Sequence, residues 1–115
     1  MIFVIDDDEI MAECVAKAAS AEAQVFTNAI EAMQEIADGK IPELIFLDIL
    51  LDGPDGFTFL NELVSYEDTA KIPVVIVSSL DFSKKDLTTY GVVGVLDKDS
   101  MKPEDIKRYV RQYTK

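Results

Sequence analysis

The sequence predicts an α/β fold, a parallel sheet covered by helices on both sides. Five short runs are apolar at consecutive positions, as strands buried on both faces require. The segments between them space their apolar residues three and four apart, the period of an amphipathic helix. The two patterns alternate along the chain in the order βαβαβαβαβα.

"MIFVI" (1–5) reads as the first strand, and residues 9–19 place Ile10, Met11, Cys14, Val15 and Ala18 on one helical face. "AQVFT" (23–27) is the second strand. Residues 29–38 follow as a helix with Ala29, Ile30, Met33, Ile36 and Ala37 on its apolar side and Gly39 as a C-terminal stop. "ELIFL" (43–47) is the third strand, and residues 56–66 form a helix facing inward with Phe59, Leu60, Leu63 and Val64. Pro73 opens the fourth strand, "PVVIV" (73–77). Residues 83–90 make a weak helix, with Ser83 as a cap and the poor formers Thr88 and Thr89. "VVGVL" (92–96) is the fifth strand. The last helix, 103–113, begins at Pro103 and turns Ile106, Tyr109, Val110 and Tyr113 to one side.

The chain has 115 residues, of which 49% are hydrophobic, enough to bury one domain's core. No repeat, linker or low-complexity tract interrupts it, so a single domain over 1–115 with no output domain inside it is expected. No apolar run approaches the ~18 residues of a membrane span. "MIFVIDDDE" has no basic segment and turns acidic too early for a signal peptide. The lone Cys14 cannot form an internal disulfide, which fits a reducing cytoplasm, and its spacing suggests a core thiol. The net charge of −11 argues against direct nucleic-acid binding and against anionic membranes, and suits cations or basic partner surfaces. There is no histidine, so every mechanism needing a histidine base, nucleophile or ligand is excluded; a metal would be held by oxygen, hence Mg²⁺, Mn²⁺ or Ca²⁺.

In "ELIFLDILLDGPDG" (43–56) a buried-looking strand ends on a bare acid, Asp48. Open α/β sheets collect function just beyond the carboxyl ends of their strands. There the first strand runs into Asp6, Asp7, Asp8 and Glu9, the third into Asp48, the fourth into Ser78 and Ser79, and the fifth into Asp97 and Lys98. A carboxylate cluster, hydroxyls and an ammonium thus share one rim. Close carboxylates repel unless a cation offsets them. A hard ion such as Mg²⁺ fits, and with Lys98 it would make the rim receptive to a phosphoryl group, with Asp48 as a carboxylate nucleophile. Ser78 supplies a hydroxyl to the new phosphate, and Ser79 is a further contact for the cofactor. Taken singly, an acidic run before a helix is also what capping and the helix dipole favour; the joint pattern at four strand ends is what points to chemistry.

"FVIDDDE", "LIFLDILLDGPDGF", "PVVIVSS" and "GVVGVLDK" together resemble the receiver domain of two-component response regulators, over essentially the whole chain. The resemblance implies a doubly wound, flavodoxin-like, five-stranded parallel sheet of order 2-1-3-4-5. It implies Asp48 as phosphoacceptor, Asp7 as direct Mg²⁺ ligand (Mn²⁺ also being possible) and Asp6 as a ligand through water. The backbone carbonyl of Leu50 would complete the protein ligands, Ser78 would be the switch hydroxyl, and Lys98 would pair with the phosphate. The "DDD" run admits two registers, and the strand's end at Ile5 favours Asp6 and Asp7. A histidine kinase or phosphotransfer protein would be the donor. A downstream protein would bind the face of the fourth helix, fifth strand and fifth helix, the weak fourth helix being cheap to rearrange. Leu50 and Leu80 would flank the water that hydrolyses the phosphate; being apolar, they cannot orient it, so slow self-dephosphorylation is expected.

Three positions depart from the family pattern. Val95 stands where an aromatic switch residue is common. Asp99 follows Lys98 where proline, often with a cis bond, is usual; a trans bond is expected here because a non-proline cis bond costs about 2.5–4 kcal/mol. Asp52 replaces a proline after the phosphoacceptor, and Pro54 is placed to stiffen that loop instead. Two other readings compete. One is an Asp-nucleophile phosphohydrolase of the haloacid dehalogenase class, which usually has a second acid where this chain has Leu50. The other is a non-phosphorylated adaptor receiver, against which the full acid, hydroxyl and lysine set argues.

Overall fold

The computed structural model describes residues 1–19, 22–49, 56–79 and 87–114. Five strands, β1 (Ile2–Ile5), β2 (Ala23–Phe26), β3 (Leu44–Leu47), β4 (Val74–Ser78) and β5 (Val92–Asp97), form one parallel sheet of order β2-β1-β3-β4-β5. The α-helices are α1 (Glu9–Ala19), α2 (Ala29–Ala37), α3 (Gly56–Val64), α4 (Glu67–Ala70) and α5 (Pro103–Tyr113), with a 3₁₀ turn at Thr88–Tyr90. The expected fold class and strand order are therefore those observed.

Strand pleating divides the core. Phe3, Ile5, Ile45, Leu47, Val74 and Ile76 face α2 and α3. Their neighbours Ile2, Val4, Leu44, Phe46, Val75 and Val77 face α1 and α5. Consecutive apolar residues are needed because both faces are dry, which is why the central strands read as unbroken apolar runs. The edge strands β2 and β5 are more exposed, and β2 accordingly carries Gln24.

Local signals set the helix ends. Asn28 caps α2, its Oδ1 accepting from Glu31 N at 2.9 Å. Gly39, at φ 98°, closes that helix: Lys40 N donates to Glu35 O and Gly39 N to Ile36 O, the paired bonds of a Schellman turn. Pro103 opens α5, and Asp105 accepts from Lys102 N at 2.9 Å. The single turn α4, unforeseen in the sequence, is tied to the end of α3 by the buried Thr69 hydroxyl, which donates to Leu63 O.

The structure corrects the inward face of α1. Ala12, Val15 and Ala19 are buried, whereas Ile10 is 78% exposed and Cys14 is exposed, so Cys14 is not a core thiol. The small alanines let the helix lie close to the sheet, and that rotation carries the larger Ile10 and Cys14 outward. On α2, likewise, Ile30 and Ala37 are exposed and Ala32 is buried in their place. Most of the expected helix 83–90 lies outside the described residues, as do Leu50, Asp52, Pro54 and Leu80. The Lys98–Asp99 bond is trans, as expected. No helix among the described residues is long and apolar enough to cross a membrane.

Candidate functional site

The sheet ladder brings the acids together. β1 and β3 pair in register through Ile5 and Leu47, so Asp6 and Asp48 emerge side by side. Each is held by a main-chain bond that continues the ladder: Asp6 N donates to Phe26 O at 3.0 Å, and Asp48 N to Ile5 O at 2.8 Å. On the other side of β3, Ser78 is the last residue of β4 and pairs with Asp97. Lys98 N donates to Ser78 O at 3.1 Å, so the lysine leaves the sheet beside the same rim.

Lys98 spans the cluster. Its Nζ lies 3.0 Å from Asp6 Oδ2 and 3.1 Å from Asp48 Oδ2. Both acids are buried, at 2% and 5% exposure, whereas Asp7 is exposed. Carboxylate oxygens of Asp6, Asp7 and Asp48 all lie within 4.8 Å of one another. Ser78 is buried at the end of β4, and Ser79, one residue on, is exposed. Leu50, expected to offer its carbonyl, lies outside the described residues.

The third acid of the run does something else. Asp8 immediately precedes α1, and its Oδ1 accepts from Ile10 N at 3.1 Å and Met11 N at 3.2 Å. It caps the helix. Asp6 and Asp7, rather than Asp7 and Asp8, therefore reach the rim, in agreement with the strand's end at Ile5.

Burial pushes the Asp6 carboxyl above its ordinary range, against the opposing pull of the Asp8 amide and Lys98. Burial also acts to lower Lys98, but hydrogen bonds and charge from Asp6 and Asp48 prevail, and its net shift is upward. Three carboxylates face one ammonium, which leaves two formal negative charges at the rim. The donors are all hard oxygens, matched to a divalent cation such as Mg²⁺. With the cation's charge and Lys98 together, the rim can accept a tetrahedral anion beside Asp48.

The family model of the response regulator receiver domain matches residues 2–111. The response regulator PleD of Caulobacter vibrioides is 32% identical over 82 residues, a stretch covering 70% of this chain and 18% of PleD. Among solved structures, the receiver domain of NtrX from Brucella abortus aligns with a TM-score of 0.82 at 25% identity, covering 98% of this chain and 97% of that one. The response regulator TrrA from Thermotoga maritima aligns with a TM-score of 0.80 at 20% identity over 98% and 97% of the two chains, a likeness of fold.

Proposed function

The chain belongs to the response regulator receiver-domain family, a signalling module, and from that premise we propose that it is a switch phosphorylated on Asp48. The observation that carries the reading is Lys98 Nζ held between Asp6 and Asp48 at 3.0 and 3.1 Å, with Asp7 in the same cluster. An Asp48 oxygen attacks phosphorus as the donor's bond to phosphorus breaks, and the bonding pair leaves with the donor. Lys98 then turns from the Asp48 carboxylate to the phosphoryl oxygens. The Ser78 hydroxyl, buried at the neighbouring strand end, is the group that follows the phosphate. Asp6, Asp7 and Asp48, with the Leu50 carbonyl, would hold Mg²⁺ or Mn²⁺, which supplies charge neutralisation at the transferring oxygens. The Mg²⁺–BeF complex of the fold relative TrrA is consistent with such a site.

The donor is a histidine kinase or phosphotransfer protein. The output is protein binding at the face of the segment 83–90, read from the sequence as a helix, together with β5 and α5, where Val93 and Val95 of β5 are 38% and 40% exposed. Ser79 is a solvent-side contact near the phosphoryl group. The test is intact-mass analysis after incubation with acetyl phosphate and Mg²⁺. One phosphoryl mass should appear, and Asp48→Asn should abolish it; undiminished labelling of the Asn variant rejects the assignment.

A further inference from the structure

Helix α2 carries more apolar surface than the sheet covers. Ala29, Ala32 and Ile36 are buried, while Ile30, Met33 and Ala37, spaced three and four apart, form a second row beside them. Ile30 is 51% exposed. Facing this row are Thr58 and Glu62 of α3, and Tyr66, at the entry to α4, is 57% exposed. Between them runs a groove of about 600 Å³ whose buried lining includes Ile36 and Phe59. Its charged lining residues are Glu62 and Asp68, both acidic.

We propose that this groove docks an amphipathic helix of a partner protein, with apolar residues at i, i+3, i+4 and i+7 and Lys or Arg along its edges. The row on α2 repeats at helical spacing, which suits helix-in-groove recognition. The exposed Ile30 and Tyr66 on its rims leave the groove too open to enclose a small ligand as such pockets do. The acidic lining selects basic flanks, and a net charge of −11 disfavours a second copy of the chain as occupant. The surface lies on the α2–α3 side of the sheet, opposite α1 and α5, and contains no residue of the carboxylate cluster.

The test uses three synthetic helical peptides: one with a leucine face and lysine flanks, one with the same face and glutamate flanks, and a scramble of the first. Backbone amide shifts should map the lysine-flanked peptide to Ile30, Met33, Thr58 and Tyr66, with saturable binding that weakens as salt rises. Ile30→Glu and Tyr66→Ala, both at exposed positions, should each weaken it by about tenfold or more with unchanged melting. Absent binding, shifts on α1 or α5, equal binding by the other peptides, or indifference to both variants overturns the proposal. So does an anilinonaphthalene sulfonate probe that occupies the groove and is not displaced by peptide, which would make it a small-molecule site. Self-association lost in Ile30→Glu would assign it to a second copy and overturn it equally.

Discussion

At the scale of single residues, Lys98 has the most to do. It is the ammonium that contacts two carboxylates which are themselves nearly sealed from water. Removing one partner of a buried ionic group leaves the others uncompensated, typically at a cost of about 3 kcal/mol. Lys98→Met should therefore lower urea stability at neutral pH by roughly that amount. The pH dependence has a definite sign. The folded-state pKa of Lys98 is raised above 10.5. The stability it contributes is thus present below pH 10.5 and is lost as pH rises through the folded value. The gap between wild type and variant should stay level from neutral pH to about 10.5 and close above it; a gap that closes near neutrality would show that the ion pairs are not its source. Asp6, Asp48, Ser78 and Lys98 were legible in the sequence because strand ends can be read from apolar runs, and parallel pairing then gathers those ends on one rim. Cys14 was misread for a different reason. Helical periodicity gives a face only to within about one residue's rotation, and here the small Ala12 and Ala19 won the inner positions.

At the scale of elements, two signals were in the sequence and both were unread. Asn28 stands one residue before a helix and three before Glu31, a capping pattern that marks the start of α2. Asn28→Ala should cost about 1 kcal/mol in denaturant unfolding; no measurable change would mean water replaces the cap freely. Gly94 was read only as part of "VVGVL", yet glycine inside a strand marks close approach or a bulge. Both occur. The β4–β5 register shifts between Val74 and Val75, so that Val74 pairs with Val92 and Val75 with Gly94, leaving Val93 as the extra residue. A Cβ at Gly94 would run into the ring of Tyr109, which packs from α5. Gly94→Ala should therefore force the Tyr109 ring out of its place and destabilise by about 1–3 kcal/mol. In a double-mutant cycle, Tyr109→Ala should absorb most of that loss, because it empties the space the methyl needs. Strict additivity would place the strain elsewhere. The short α4 had no such signal: four residues give no period, and its anchor, the Thr69 hydroxyl bond, is a tertiary contact.

At the scale of the whole molecule, charge and fold act on one another. The excess of acid, −11 in all, is spread over the chain, but folding draws Asp6, Asp7 and Asp48 within 4.8 Å, a repulsion that the unfolded chain largely lacks. A divalent ion that relieves it must bind the folded state in preference, and any such ligand stabilises by RT ln(1 + [L]/Kd), about 1.4 kcal/mol at tenfold excess over Kd. For a domain of this size that corresponds to a rise in Tm of roughly 5 °C. General screening of the net charge by salt would also raise Tm, without any site. The two effects separate if MgCl₂ is compared with NaCl at matched ionic strength. The screening part is common to both salts, and the remainder belongs to the cluster. Asp7 is the exposed member of the three, so Asp7→Asn would remove a proposed ligand without opening a cavity. It should abolish most of the Mg²⁺-specific rise and leave the NaCl response intact. An equal Mg²⁺-specific rise in wild type and Asp7→Asn would put the ion somewhere other than between the ends of β1 and β3.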